Sequence, residues 1–290
     1  MKQLDLEIIL VSFNSQFWLK KTLESLKEHY LDTTKLSVAV TVVDNNSEDT
    51  SVETIRKDFR WVKLIELHKN LGFAAANNIA IEQSAATYVM LLNSDVESTE
   101  ASKFDKLVTY LDTHEKTAAI TPKIKFLNGG IDPACHRGEP TLWASVTYFF
   151  GLEVLFPHSK VFSQYHQWYK LLNTIHTIDA CSGAAMIVRR SVITQVGLLD
   201  EQFFMYAEDL DWCKRFREAA YNIVYYPQVT VIHHKYKSGI KGSSKKIARN
   251  TRRHFYNTML QYFDKHYRHQ YPEFVRNIIR YFIIIKKGAT

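Results

Sequence analysis

Apolar positions along the first 120 residues fall into two alternating rhythms. Short, nearly unbroken β-type runs stand at 6–12 (LEIILVS), 37–44 (SVAVTVVD), 62–67 (VKLIEL) and 87–92 (TYVMLL). Between them lie stretches with a helical period: 16–29, where Phe17, Leu19, Leu23 and Leu26 are read as one stripe, the segment after NNSED, and 72–85, which starts at Gly72 and carries small residues on its first turns. Ser47 with Glu48 or Asp49 offers side chains to cap the second of these helices. Strands that alternate with helices predict βαβ units, hence an α/β fold with a mostly parallel central sheet and flanking helices. A helix near 100–113 and a strand near 118–121 extend the series.

The rhythm breaks between about 125 and 177, with Gly129-Gly130, Pro133 and Pro140 followed by the aromatic-rich LWASVTYFFGLEVLF and YHQWYKLL. This reads as an excursion from the sheet, with an aromatic surface suited to a sugar or lipid, or else simply with core aromatics. Strands are expected again at 178–190 and 222–234, with a helix beginning near Ala207 between them. No internal repeat or low-complexity segment interrupts the chain.

Composition narrows the class. At 290 residues, 46% hydrophobic, 23% charged and 13% aromatic, the chain has enough apolar side chain for a large core, which excludes intrinsic disorder. Cys135, Cys181 and Cys213 are odd in number, widely spaced and without a CxxC pair, so neither a disulfide framework nor a zinc knuckle is expected, and a reducing, cytoplasmic setting fits. The opening MKQLDLEIILVSFNS is too short and too acidic in its apolar run to read as a signal peptide. No stretch approaches the roughly 20 apolar residues of a membrane span. Charge is uneven: residues 235–290 hold 14 Lys and Arg against Asp264 and Glu273, a net of +12, which leaves −5 of the total +7 for the rest. A basic tail of this kind implies an anionic partner, and the anionic face of a membrane suits it, giving a cytoplasmic protein peripheral at the inner face of the cell membrane.

Polar residues collect where a parallel sheet binds ligands, outside the carboxyl ends of its strands. Ser12 and Asn14 follow the first strand, Asp44 and Asn45 the second, Asn70 the third, and Asn93 and Asp95 the fourth, with Asn77 on the helix after Gly72. Each alone is a turn or cap former; together they are better explained by a polar ligand. With no GxxxxGK[ST] and no GxGxxG, phosphates would need a metal instead. Asp95 is an oxygen ligand of the type Mg²⁺ or Mn²⁺ uses beside a diphosphate, and His233 or His234 offers a nitrogen that favours Mn²⁺.

In order along the chain, VSFNS, VVDNNSED, NLGFAAANN, LLNSDVE, SGAAMIVRR and LLDEQFFMYAEDLDWCKR resemble an inverting glycosyltransferase of family 2, GT-A fold, in its bacterial rhamnosyltransferase-like branch. The resemblance spans roughly residues 5–240. It implies a GT-A catalytic domain over 1–240, with 125–177 as an acceptor-side insertion and 241–290 as a basic helical extension. It implies that Ser12, Asn14, Asp44, Asn45, Asn70, Gly72, Asn77, Asn93, Ser94 and Asp95 bind a nucleotide diphosphate sugar, with Asp44 on the base and dTDP-L-rhamnose the leading donor. NSD stands in place of the DxD motif, Asn93 replacing its first aspartate, with Asp95 and His233 on the metal. The acceptor would be a saccharide or lipid-linked saccharide of a bacterial surface polysaccharide. Asp209 would be the general base, with Glu208 as a positioning neighbour, whereas Asp211 pairs with Arg215 one turn on.

Two other readings compete. A sugar-phosphate nucleotidyltransferase shares the sheet architecture but releases pyrophosphate. A nucleic-acid-binding protein would use the tail, where aromatics interleave with RRHFYNTMLQYF. The acidic, amide-rich rim speaks against the latter, since it repels phosphates when no metal intervenes.

Overall fold

The computed structural model describes residues 3–234 and 245–288; the basic stretch 235–244 lies outside the described residues. Strands β1 (Leu6–Ser12), β2 (Val38–Asp44), β3 (Lys63–Glu66) and β4 (Tyr88–Leu92) form the parallel half of one sheet, in the order β3-β2-β1-β4. β1 pairs on both sides, with Ser12 opposite Asp44 and Ile9 opposite Leu91. A strand between two neighbours and under helices on both faces has no wet side, which is why LEIILVS and TYVMLL are continuous apolar runs. Glu7, buried in β1, accepts a 2.6 Å hydrogen bond from Thr41 Oγ1 on β2, so its polarity is satisfied across the strands.

Helices α1 (Gln16–Leu26), α2 (Ser51–Asp58) and α3 (Gly72–Gln83) supply the crossovers. α1 buries Leu19, Leu23 and Leu26, then widens into one π turn, Lys27–Leu31. Phe17, expected in that stripe, is instead 64% exposed: two residues before Leu19, it stands about 200° round the helix from it. At the start of α2, Asp49 accepts from the amide of Ser51, while Ser47 turns away to accept from the amide of Asn14.

The second half reverses direction. β5 (Val96–Glu97), α4 (Asp105–Thr113), β6 (Thr117–Lys125), β7 (His176–Ile178), β8 (Ala185–Arg189), α7 (Arg190–Val196), α8 (Glu208–Glu218) and β9 (Asn222–His233) complete the sheet as β3-β2-β1-β4-β8-β6-β9-β5, with β7 beside β9. β8 runs antiparallel to both β4 and β6, so β6 and β9 regain the direction of β4. The single strand expected at 178–190 is two strands: residues 179–184 leave the sheet because Asp179, Ala180 and Gly183 bond to Arg137, Glu139 and Asp209 rather than to a ladder. The β6–β9 pairing slips between Pro122 and Lys123, opposite Tyr226 and Thr230, where Pro227 cannot donate to a ladder.

The excursion carries a 3₁₀ turn (Pro133–Cys135), α5 (Leu142–Phe149) and the short α6 (Leu152–Leu155). All three cysteines are buried thiols. After the undescribed segment come α9 (Lys245–His266) and α10 (Glu273–Gly288), a helical hairpin whose two arms touch, with Pro272 just ahead of the second. α9 buries Tyr256, Tyr262 and Phe263, and Tyr267 just beyond it is buried as well. Among the described residues no helix is long and apolar enough to cross a membrane.

Candidate active site

The carboxyl ends of β1, β2 and β4 gather most of the polar residues picked out in the sequence into three linked groups. In the first, Ser12 Oγ lies 2.9 Å from Ser15 Oγ, which lies 3.1 Å from Ser94 Oγ, so a buried hydroxyl chain ties the end of β1 to the turn after β4. Asn14, with a left-handed φ of 49°, accepts from the amide of Glu48 and so holds the β1 loop against the β2 loop. Asp44 ends β2; its Oδ2 accepts from the amide of Ser47 at 2.9 Å, while Oδ1 is buried with no hydrogen-bond partner among the described residues. A buried carboxylate oxygen left open at a strand end is costly unless a ligand donor completes it.

The second group is a clamp. Asn45 donates to Asn70 Oδ1 (3.0 Å) and to the Gly72 carbonyl (3.1 Å), and accepts from the Leu71 amide. Asn70 in turn accepts from the Gly72 amide. Gly72 has φ of 84°, and a Cβ there would stand 2.3 Å from the Phe204 carbonyl oxygen, so only glycine lets the start of α3 approach the loop ahead of α8 this closely. Asn77 donates to the Phe73 carbonyl within α3. The Asn93 amide bonds the Ala184 carbonyl, joining β4 to the 179–184 crossing.

The third group holds the charges. Asp95 Oδ1 lies 3.2 Å from His233 Nε2, and the other ring nitrogen, Nδ1, lies 2.8 Å from Asp132 Oδ2, all three side chains being buried. Burial alone would lower the imidazole's pKa, but the bonds to Asp132 and Asp95 outweigh it and push it up to about 9. His234 points elsewhere: it lies 2.6 Å from Glu97 and tilts against the Trp18 ring.

Across the 179–184 crossing stand Glu208 and Asp209, in the first turn of α8. Tyr206 and Ala207, just before it, both hold left-handed φ values, 72° and 65°, a conformation non-glycine residues adopt only where the surroundings enforce it. Phe204 stacks on His254 and Tyr206 packs edge-on to Phe255, so α9 braces this strained approach. Both oxygens of Asp209 are bonded, Oδ2 accepting from Arg137 at 2.6 Å and from the Gly183 amide at 3.4 Å, and Oδ1 from the Leu210 amide alone, which leaves Oδ1 room to accept a second proton donor. Glu208 Oε2, equally buried, has no hydrogen-bond partner among the described residues. Burial first, and then the adjacent Asp209 charge, push its pKa up to about 8. Glu208 therefore keeps its proton near neutrality, and Arg137 stands as the ion-pair partner of Asp209.

Asp132 and Arg137, both in the excursion, escaped the sequence reading. The only hint was a carboxylate and an arginine inside a Gly/Pro-rich run, GGIDPACHRG, where the charged residues of a solvent loop would look the same.

This architecture has the fold of known GT-A enzymes. GalNAc-T7, solved with UDP, GalNAc and Mn²⁺, superposes with a TM-score of 0.62 at 16% identity, covering 86% of this chain and 47% of that one. The mannosyltransferase PcManGT from Pyrobaculum calidifontis, solved with GDP-Man and Mn²⁺, gives 0.60 at 15% identity, with 91% and 64% covered. Residues 7–194 match the family Glycosyl transferase family 2, and the chain belongs to that family: it is a glycosyltransferase. It is 27% identical over 241 residues to the N-acetylglucosaminyl-diphospho-decaprenol L-rhamnosyltransferase of Mycobacterium tuberculosis, covering 79% of this chain and 76% of that protein. It is likewise 27% identical over 242 residues to the rhamnosyltransferase WbbL of Escherichia coli K12, covering 78% and 82%.

Proposed function

We propose that the protein transfers L-rhamnose from dTDP-L-rhamnose, with inversion, to a lipid-linked saccharide in surface polysaccharide synthesis, working at the cytoplasmic face of a membrane. The observation that carries this reading is the pair of carboxylate stations on either side of the strand-end rim, Asp95 with His233 on one and Glu208 with Asp209 on the other. The rhamnosyl group and the lipid-linked acceptor follow the names of the rhamnosyltransferase relatives, the first of which acts on N-acetylglucosaminyl-diphospho-decaprenol, and the dTDP carrier follows the sequence resemblance.

The rim binds the donor through Ser12, Asn14, Asp44, Asn45, Asn70, Gly72, Asn77, Asn93 and Ser94. The open Oδ1 of Asp44 suits an N–H of the nucleotide base, and the asparagine clamp keeps the start of α3 in place beside it. A divalent ion, Mn²⁺ or Mg²⁺, fits the first station. Asp95 and His233 would hold it, an oxygen and a nitrogen ligand whose Oδ1 and Nε2 lie 3.2 Å apart, the imidazole giving up its Nε2 proton to do so. Among the described residues no three such side chains converge on one metal position, so the donor diphosphate and water would complete the shell, as Mg²⁺ and Mn²⁺ accept. Asp132 would then fix the imidazole through Nδ1–H, leaving Nε2 for the ion. Held there, such an ion would supply charge neutralisation for a departing diphosphate.

On the other side, an acceptor hydroxyl needs its proton taken as it attacks the anomeric carbon. Asp209 does this: it is the carboxylate paired with Arg137, whereas Glu208 is protonated at neutral pH. As a neutral carboxylic acid Glu208 is a donor that positions the acceptor. The test is direct. Purified protein is given dTDP-L-rhamnose, Mn²⁺ and an N-acetylglucosaminyl-diphospho-polyprenol. The expected result is release of dTDP and an inverted glycosidic linkage by NMR, with loss of transfer in excess EDTA. Release of pyrophosphate from a nucleoside triphosphate would instead establish the nucleotidyltransferase reading.

A further inference from the structure

α10 carries apolar residues on two nearly opposite faces, and the fold buries those of one face. Val275, Ile279 and Ile283 turn inward, the last 3% exposed and the first two packed against the core. Phe274, Ile278, Tyr281 and Ile284 recur at spacings of four, three and three, which sets them together on the far side of the helix from that buried stripe, and they are exposed by 55–67%. The helix is not loosely placed: Arg276 grips Asp264 on α9 with two bonds of 2.6 and 2.7 Å.

A second apolar surface adjoins it. Phe149 of α5 meets Phe282 of α10 edge to face at 5.2 Å. Just beyond, Phe150, Val154 and Leu155 are 74%, 78% and 69% exposed. They too are held outward by a buried anchor, since Glu153 of α6 turns in to pair with His166 at 2.6 Å. Soluble proteins seldom expose a contiguous apolar surface of this kind without a use for it. Its setting says what covers it, because the segment 235–290 that contributes α10 carries a net charge of +12. An apolar strip inside strongly cationic sequence matches the acyl boundary and headgroups of an anionic bilayer, whereas a second copy of the same chain would bring cation against cation.

We propose that α10 and the α5–α6 segment form one docking face for an anionic lipid bilayer, lying in the interface without crossing it. The proposal deepens the reading above, on which the acceptor is lipid-linked. The docking segment belongs to the same 125–177 excursion that supplies Asp132 and Arg137 to the site, so the surface that meets the lipid is built into the chain that frames the acceptor side.

Flotation with vesicles tests it, using phosphatidylcholine alone or with about a third phosphatidylglycerol. The protein is expected to float with the anionic vesicles and to lose much of that binding in pure phosphatidylcholine or high salt. Ile278→Asp/Ile284→Asp on α10 and Val154→Asp/Leu155→Asp on α6 should each lower the partition coefficient by about tenfold or more, since each removes two inserted side chains. Phe150→Ser is the milder variant in case an aspartate pair unfolds the protein, with a loss of about threefold expected. Unchanged partition of the α6 variants would overturn the joint face. No flotation of the parent protein would overturn docking altogether, as would light scattering that shows a dimer which either variant pair makes monomeric. Thermal stabilisation by dTDP-L-rhamnose, measured without vesicles, keeps the two readings separate: flotation without nucleotide stabilisation sinks the donor assignment and leaves the docking face standing.

Discussion

Helix α8 carries two kinds of carboxylate within one turn. Asp211, fully buried, accepts from Arg215 Nε at 2.8 Å and faces Lys265 Nζ at 2.5 Å and His266 Nε2 at 2.8 Å. Burial alone would raise its pKa, but His266 and Lys265 outweigh that and hold it at about 2. Glu208, three residues earlier and nearly as buried, has an oxygen with no partner and a pKa moved the opposite way. The difference separates structure from chemistry. Asp211 spends its whole bonding capacity on clamping α9 to α8, and Glu139 does the same on the neighbouring face with Lys214, Arg217 and Tyr267. The first turn keeps a group in reserve, and a group in reserve at a rim is what a substrate can use.

The largest effect that would break this contrast lies at Asp209. Asp209→Asn should lower kcat by about 10²–10⁴-fold, the usual range for a general base, with little change in the donor KM. The substitution also leaves Arg137 buried without its counter-charge, so stability falls as well. Arg137→Met combined with Asp209→Asn should therefore recover stability without recovering turnover. Full recovery of both in the double variant would show that Asp209 serves only the fold. Asp211→Asn should behave in the opposite sense. Removing one partner from a buried ion cluster costs about 3–5 kcal/mol, read by urea unfolding, while turnover per folded molecule stays within about threefold. For the same reason, truncation before α9 should not leave a stable catalytic unit, because the hairpin supplies three buried tyrosines and the cations on Asp211.

How far the sequence announced this contrast depended on whether a feature is local. The parallel half was legible because β1, β2 and β4 are buried on both faces, which writes itself as unbroken runs such as LEIILVS and VVD. The Asp211–Arg215 pair was legible because i,i+4 on a helix is a fixed distance. The rim asparagines and Asp95 were legible as polar residues at strand ends. What could not be read were partners set by tertiary approach: Arg137 is 72 positions from Asp209, and Asp132 is 101 from His233. The antiparallel turn of β8 was equally hidden, since a buried antiparallel strand such as AMIVR has the same composition as a parallel one. Phe17 shows the reverse error, an apolar residue read into a stripe it cannot geometrically join.

A smaller effect sharpens the comparison at the other station. If Asp132 serves the fold only, Asp132→Asn should change the unfolding midpoint and nothing else. If it orients His233 for an ion, Mn²⁺ affinity measured by calorimetry or electron paramagnetic resonance should fall by about 10–100-fold, as it does when an orienting carboxylate behind a metal-bound histidine is removed. The second result is expected, with donor binding in the absence of metal unchanged.

The smallest effect is a slope, and it tests the division within α8 without any substrate. The Glu208 carboxyl titrates near 8 in the folded protein against an ordinary 4.5, so between those values the native state holds a proton that the unfolded chain has released. Stability from this group is therefore complete below pH 4.5 and declines as pH rises through about 8, by at most about 1.4 kcal/mol per pH unit. Asp211 runs the other way. Its folded value near 2 lies below the ordinary 3.8, so its contribution is present above pH 3.8 and is lost as pH falls through about 2. Thermal unfolding from acid to mildly alkaline pH should then show two separable limbs. Glu208→Gln, neutral at every pH, should flatten the descent towards pH 8 and leave the acid limb alone; Asp211→Asn should remove part of the acid limb only. Should Glu208→Gln keep the parent's slope on the way to pH 8, Glu208 is ionised in the folded state, and its role as the protonated, acceptor-positioning carboxyl fails.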